Sequence, residues 1–210
     1  MEHLEKRRCV IVAAGETESV DILKKNIFYD DFVIAADAGY TKLKAASIEP
    51  NLIVGDFDSS DIPENDIETI ILSPIKDCTD TEFALAQAYE RGFREMLIIG
   101  ALGGRVDHSY ANICLVAQYR HKGAKVTIID DKHKIYCLKN EETSVADTKQ
   151  YVSVFAFADE CKVFFEGFYY GTDVITLTPF DVIGTSNELV EEVGKINVIS
   201  GTAVIIEALK

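Results

Sequence analysis

The sequence predicts an α/β fold: a mostly parallel N-terminal sheet with helices on both faces, followed by a small antiparallel β domain. Three observations predict it. Up to about residue 131, short apolar runs alternate with stretches of helical spacing, the pattern of strands buried on both faces and joined by crossover helices. Beyond that point, β-branched and aromatic runs are separated by polar or glycine turns, with no long helical stretch between them. Polar clusters rich in Asp and Gly follow several of the N-terminal apolar runs directly. The change of texture near Asp131 to Lys134 divides the chain into residues 1–131 and 132–210.

Taken in order, Cys9 to Ala14 reads as a buried strand closed by Gly15-Glu16, and Asp21 to Phe28 as a helix. Phe32 to Ala36 is a second strand ending at Asp37-Ala38-Gly39. Tyr40 to Ala46 is a short helix that stops before Pro50. Leu52 to Val54 and Glu68 to Leu72 are strands, the latter barred from continuing by Pro74. Thr79 to Arg91 is the clearest helix, with Thr79 and Glu82 at capping-box spacing and Gly92 placed to end it. Met96 to Ile99 is a strand and Asp107 to His121 a helix, with Ile113, Val116, Ala117 and Arg120 at helical spacing and Gly123 closing it. Val126 to Ile129 is the last strand of the first domain.

In the second domain the strands are Ile135 to Leu138, Val152 to Phe157, Lys162 to Phe165, Val174 to Leu177, Ile196 to Ile199 and Ala203 to Ile206. Asn140 to Gln150 reads as a polar loop.

Composition narrows the function classes. A net charge of −14 and an acidic pI argue against a nucleic-acid surface, which needs a basic stripe. The five cysteines form no CxxC pair, so neither a zinc site nor a disulfide framework is expected, and Cys9, Cys114 and Cys161 read as core. No signal peptide and no membrane-length apolar run is apparent, so a cytoplasmic protein is expected.

Four clusters carry chemistry. In open α/β sheets, ligands bind beyond the carboxyl ends of the strands. Gly15, Asp37, the Gly55-Asp56-Phe57-Asp58-Ser59 turn and Gly100 to Arg105 all follow strands, so they should share one rim. Asp56 and Asp58, two residues apart, repel unless a cation lies between them, and a divalent ion is the usual solution. For Asp37, both a helix cap and a ligand contact fit. Asp77 and Asp80 in Lys76-Asp77-Cys78-Thr79-Asp80 stand at a helix start, where the macrodipole favours carboxylates. With Thr79 also present, one of the two exceeds what a cap needs. Gly100 to His108 is a glycine loop between strand and helix, suited to phosphate, with Arg105 as a planar clamp. A tight structural turn explains that composition equally. Together the clusters point to phosphoryl or nucleotidyl transfer.

Ala36-Asp37-Ala38-Gly39, Gly55-Asp56-Phe57-Asp58-Ser59, Lys76-Asp77-Cys78-Thr79-Asp80, Gly103-Gly104-Arg105-Val106-Asp107-His108 and Gly184-Thr185-Ser186-Asn187-Glu188, in that order, closely resemble the motifs of bacterial thiamine pyrophosphokinases. The resemblance spans essentially the whole chain. It implies an α/β catalytic domain followed by a β-sandwich-like domain. It also implies transfer of diphosphate from ATP to thiamine with release of AMP, and a homodimer with thiamine near the subunit interface. By motif it implies magnesium on Asp56, Asp58 and Asp80, with Asp37 and Asp77 supporting the metal and nucleotide. Gly103, Gly104, Arg105, Asp107 and His108 would lie along ATP, and Ser186 and Asn187 at thiamine. Tyr170, in a chain without Trp, takes the place of a stacking Trp seen in some relatives, with Tyr169 as the competing candidate. Two other readings remain at this point: a diphosphokinase for another hydroxymethyl heterocycle such as a pterin, and a non-catalytic nucleotide sensor.

Overall fold

Continuous apolar runs flanked by crossover helices give the first architectural unit. The computed structural model describes residues 8–15, 19–57, 66–73, 77–146, 149–171 and 173–210. Glu16, Asp58, Ser59, Pro74 and Lys76, all named above, lie outside the described residues. By contact the chain divides into Met1–Leu115 with Ala124–Asp131, and Val116–Gly123 with Lys132–Lys210.

The first unit runs β1 (Cys9–Val12), α1 (Asp21–Asn26), β2 (Phe32–Ala36), α2 (Gly39–Ala46), β3 (Leu52–Gly55), β4 (Glu68–Ile71), α3 (Asp80–Glu90), β5 (Glu95–Ile99), α4 (Val106–His121, whose residues from Val116 onward group with the second unit) and β6 (Lys125–Ile129). Among the described residues its strands lie in the order β4-β3-β2-β1-β5-β6 and every pairing is parallel. Each residue of β1 is fully buried because each sheet face is covered. Val10 and Val12 pack with Leu23 of α1 and Leu43 of α2. Cys9 and Ile11 point the other way, and α3, with Ala84, Leu85 and Ala88 buried, packs on β1, β2 and β3.

Local signals act as expected. The Thr79 hydroxyl accepts from the Glu82 amide at 3.1 Å, and Gly92 takes φ +89 beyond the end of α3. A cap of this kind contributes about 1 kcal/mol.

The second unit runs β7 (His133–Lys139), β8 (Glu142–Val145), β9 (Gln150–Ala156), β10 (Cys161–Glu166), β11 (Ile175–Leu177), β12 (Gly194–Ser200) and β13 (Thr202–Leu209). Antiparallel pairing gives the orders β7-β13-β9 and β11-β10-β12-β8. Alternating side chains from both layers, including Leu138, Val154 and Ile205 from one and Val163, Ile196 and Val198 from the other, form a shared core.

Two expectations need correction. The polar loop over 140–150 contains β8, an edge strand paired with β12, whose Val145 alone turns into the core. Cys114 is half-buried, whereas Cys9 and Cys161 are fully enclosed.

Candidate active site

Strand order creates the crevice. The chain leaves β1 toward β2 on one side, while β5 reaches the other side of β1 only after α3 has crossed back from the sheet edge at β4. The loops leaving β1 and β5 therefore diverge, and such a switch point is where open α/β sheets receive ligands. Here the two loops touch through their backbones. A Cβ on Gly15 would lie 2.3 Å from the Gly100 carbonyl oxygen and 2.8 Å from that of Leu102, so only glycine permits the approach. Gly100, Gly103 and Gly104 all have positive φ, which turns the main chain sharply between β5 and α4.

The carboxylates stand on neighbouring strands of the same rim. Asp37 follows β2 with φ +51, and its amide donates to Val54 O at 2.8 Å. The N-cap of α2 is Ala38, one residue later, with no side-chain cap bond. Asp56 follows β3 and is half-buried. Phe57 then adopts φ +53, a conformation that strains a bulky residue by about 1–3 kcal/mol, so the turn directly after Asp56 is over-determined by its surroundings. Asp80 is the first residue of α3 and half-buried, and Asp77 is exposed. Because Thr79 already supplies the cap, neither carboxylate is required for it. Among the described residues no group of three or more His, Cys, Asp or Glu could hold a metal ion.

In the glycine loop, Arg105 pairs with Asp107 through two parallel bonds: Nε to Oδ1 at 3.1 Å and a terminal nitrogen to Oδ2 at 2.5 Å. Asp107 Oδ1 also accepts from the His108 amide at 3.0 Å. The Arg105 hydrogen bond holds the Asp107 carboxyl below its ordinary range and raises the guanidinium. Arg105 and Asp107 are largely exposed, and His108 is exposed beside them. Deeper in, the buried Asn112 of α4 donates Nδ2 to Ala101 O at 2.7 Å and pins the start of the loop.

The tyrosine and Ser-Asn motifs belong to the second unit, where they are built as one piece. Gly184 lies directly on β9; a Cβ there would fall 2.0 Å from Val154 O. Asn187 bridges Val152 through both backbone groups, at 2.8 and 2.9 Å. Its side chain is buried and engaged with main chain: Oδ1 accepts from the Tyr170 amide at 3.0 Å and the Glu188 amide at 2.9 Å, while Nδ2 donates to Tyr170 O at 2.8 Å. Asn187 thus clasps the backbone that carries Tyr170. Tyr169 and Tyr170 pack edge to face with centroids 4.8 Å apart, and both rings are exposed. Ser186 is exposed with φ +59, and its amide donates to Ser153 Oγ at 3.0 Å.

The sequence profile described as thiamin pyrophosphokinase, catalytic domain, matches residues 23–128, half of the chain. The chain belongs to the thiamin pyrophosphokinase family. It is 28% identical over 209 residues to a thiamine pyrophosphokinase of Bacillus subtilis, covering 94% of this chain and 97% of that one. The crystal structure of thiamine pyrophosphokinase from Bacillus subtilis superposes with a TM-score of 0.87 at 26% identity, covering 97% of this chain and 100% of that one. The thiamin pyrophosphokinase of Geobacillus thermodenitrificans gives 0.84 at 25% identity, with 97% and 98% covered. The α/β unit followed by an antiparallel β unit is thus the fold of this thiamin pyrophosphokinase family.

Two polar residues of this chain escaped sequence reasoning. Asn112 is one; its only signal was an amide among apolar neighbours on a helix with one buried face. The other is Lys42 of α2, whose ammonium donates to the carbonyls of Ala13, at 3.0 Å, and Gly15. Burial pushes Cys9 and Cys137 up to about 12 and Cys161 to about 11, so these three thiols stay protonated at neutral pH.

Proposed function

We propose that the chain transfers the terminal diphosphate of ATP to the hydroxyethyl oxygen of thiamine. The observation that carries the reading is the β1/β5 switch-point crevice, floored by the Gly100–Gly104 turn and flanked by Asp37 and Asp56, in a chain of this family. The oxygen attacks the β-phosphorus, the bond from that phosphorus to the oxygen bridging it to the α-phosphorus breaks, and AMP departs with the bridging oxygen. The hydroxyl proton is released. There is little covalent work for the protein, so its part is positioning and charge stabilisation. The glycine loop, with Gly103 and Gly104, offers main-chain amides to phosphate oxygens. Arg105 lies along ATP, oriented by Asp107, with His108 beside them; Asp37 and Asp77 support the nucleotide site.

Magnesium is the proposed cofactor. Asp56 and Asp80, with Asp58, would hold it; an all-oxygen carboxylate set suits this ion, which commonly takes one or two carboxylates and fills its remaining positions with water and substrate phosphates. When bound it neutralises charge on the phosphates. Tyr170 is the proposed stacking partner for the cationic thiazolium, with Ser186 at the same end of the β unit. A cytoplasmic setting is proposed, in keeping with the acidic composition and the free cysteines, and a homodimer is proposed from the family resemblance alone. Among the described residues no helix is long and apolar enough to cross a membrane.

The decisive assay is AMP formation from ATP with and without thiamine. Thiamine-dependent AMP is expected; AMP released only with a hydroxymethylpterin, or none with either, overturns the assignment. The relatives' names favour thiamine over the pterin and sensor readings.

Two substitutions probe its halves. Arg105→Lys keeps the charge but loses the planar fork, so kcat/KM for ATP should fall about tenfold. Unchanged turnover would leave Arg105 a surface ion-pair residue. Tyr170→Ala removes an aromatic face contributing roughly 0.5–2 kcal/mol, so the thiamine KM should rise about two- to thirtyfold with the ATP KM unmoved. The same defect in Tyr169→Ala but not in Tyr170→Ala would move the stacking role to Tyr169.

A further inference from the structure

The geometry points to Lys42 as a positioning residue for the nucleotide: its ammonium holds the β1 loop in place beside the glycine turn after β5 and so shapes the crevice in which ATP phosphates are to lie. The inference rests on the diphosphokinase reading and names a residue that reading does not require.

The placement follows from packing. The first turn of α2 lies directly on the end of β1, where a Cβ on Gly39 would come within 1.9 Å of Val12 O. Nothing larger than glycine allows that docking. Three residues further along α2, on the same helix face, Lys42 is carried to the β1 loop. There Nζ donates to Ala13 O at 3.0 Å and to Gly15 O. The same ammonium bounds the glycine turn: a Cβ on Gly100 would lie 3.0 Å from Lys42 Nζ, 2.7 Å from Ala13 O and 3.2 Å from Gly15 O. Lys42, the β1 loop and Gly100 therefore meet at one point, at the switch between β1 and β5.

The carbonyls of Ala13 and Gly15 lie just past the last residue of β1, at the end of the strand where the crevice opens. Left unneutralised, they would set partial negative charge against the phosphates of ATP. An ammonium bound to both of them offsets that charge and holds Gly15 against the Gly100–Leu102 backbone. Thiamine is proposed to be held by residues of the other unit, so a Lys42 effect should be confined to the nucleotide.

The test compares Lys42→Met, which keeps the length of the stem and removes the charge, with Lys42→Arg, which keeps the charge and can still donate to both carbonyls. ATP and thiamine saturation are measured separately for each. In Lys42→Met the ATP KM should rise about tenfold or more while the thiamine KM stays within about twofold, and Lys42→Arg should recover most of the loss. Equal rises in both KM values, an unchanged ATP KM, or an Arg variant no better than Met would each overturn the inference. Should Lys42→Met prove insoluble, calorimetric ATP binding to Lys42→Gln tests the same point: weakened affinity is expected, and wild-type affinity overturns the inference. Absence of thiamine-dependent AMP from the wild-type protein would instead strike the diphosphokinase reading.

Discussion

Asp56→Asn is expected to yield a folded protein whose thiamine-dependent AMP formation is reduced by about a hundredfold or more. The substitution keeps the side-chain shape and removes one negative charge. Asp56 is half-buried just past β3, where a Cβ on Gly55 would lie 3.3 Å from Asp37 Cα and Phe57 is turned into the left-handed region. The substitution is nearly isosteric and sits at a half-buried rim position outside the core, so the melting temperature should move little. What is lost is an anionic oxygen at the rim where, on the proposed reading, magnesium and the transferring group must be gripped. Removing one such preorganised electrostatic partner typically costs about 10²–10³ in kcat. Steady-state rates across a magnesium titration, with a thermal melt alongside, give the answer. Activity within about threefold of wild type at limiting magnesium would remove Asp56 from the proposed metal set.

Much of the fold was legible because each local signal agreed with the global one. The runs at β1, β2, β3 and β5 are apolar on both faces, a pattern that a parallel sheet between helices requires. Thr79, Glu82 and Gly92 marked the ends of α3 to within a residue of where they fall, because capping is a short-range hydrogen-bond problem. β8 escaped for the opposite reason. Glu142-Thr143-Ser144-Val145 lies at a sheet edge with a single deeply buried side chain, so its hydrophobic signal is nearly nil and pairing with β12 defines it.

The site divides in the same way. That Asp37, Asp56 and the glycine loop would share a rim followed from their places after successive strands. Which two loops would form the crevice did not, because strand order is set by where α3 returns the chain, a long-range choice. Lys42 looked like any solvated lysine on a short helix, and only the docking of Gly39 on Val12 aims it at the β1 carbonyls. Asn112 and Asn187 were equally silent in this respect: a buried amide is recognised by the main-chain groups it satisfies, and those lie far away in sequence or on another strand.

Asn187 carries the second large expected effect. Its carboxamide answers three main-chain groups, two of them on Tyr170, from a position nearly closed to solvent. Asn187→Leu has similar volume and none of those bonds. It leaves the Tyr170 amide and carbonyl and the Glu188 amide without their partner, at about 1–3 kcal/mol for each group that water cannot reach. A loss of several kcal/mol in stability is therefore expected, read as a clear fall in the unfolding midpoint. The functional loss should fall on thiamine, since the clasp fixes the backbone from which the Tyr170 ring projects. Two roles for Asn187 can be separated by a double-mutant cycle in the milder Asn187→Asp variant, which keeps an acceptor for the two amides and loses the donor to Tyr170 O. If Asn187 acts through Tyr170, Asn187→Asp raises the thiamine KM in the wild-type background and adds almost nothing once Tyr170 is alanine. If the two effects on thiamine KM simply add, Asn187 touches thiamine on its own account and the clasp is only structural. An unfolding midpoint for Asn187→Leu equal to wild type would show that the three bonds contribute no net stability.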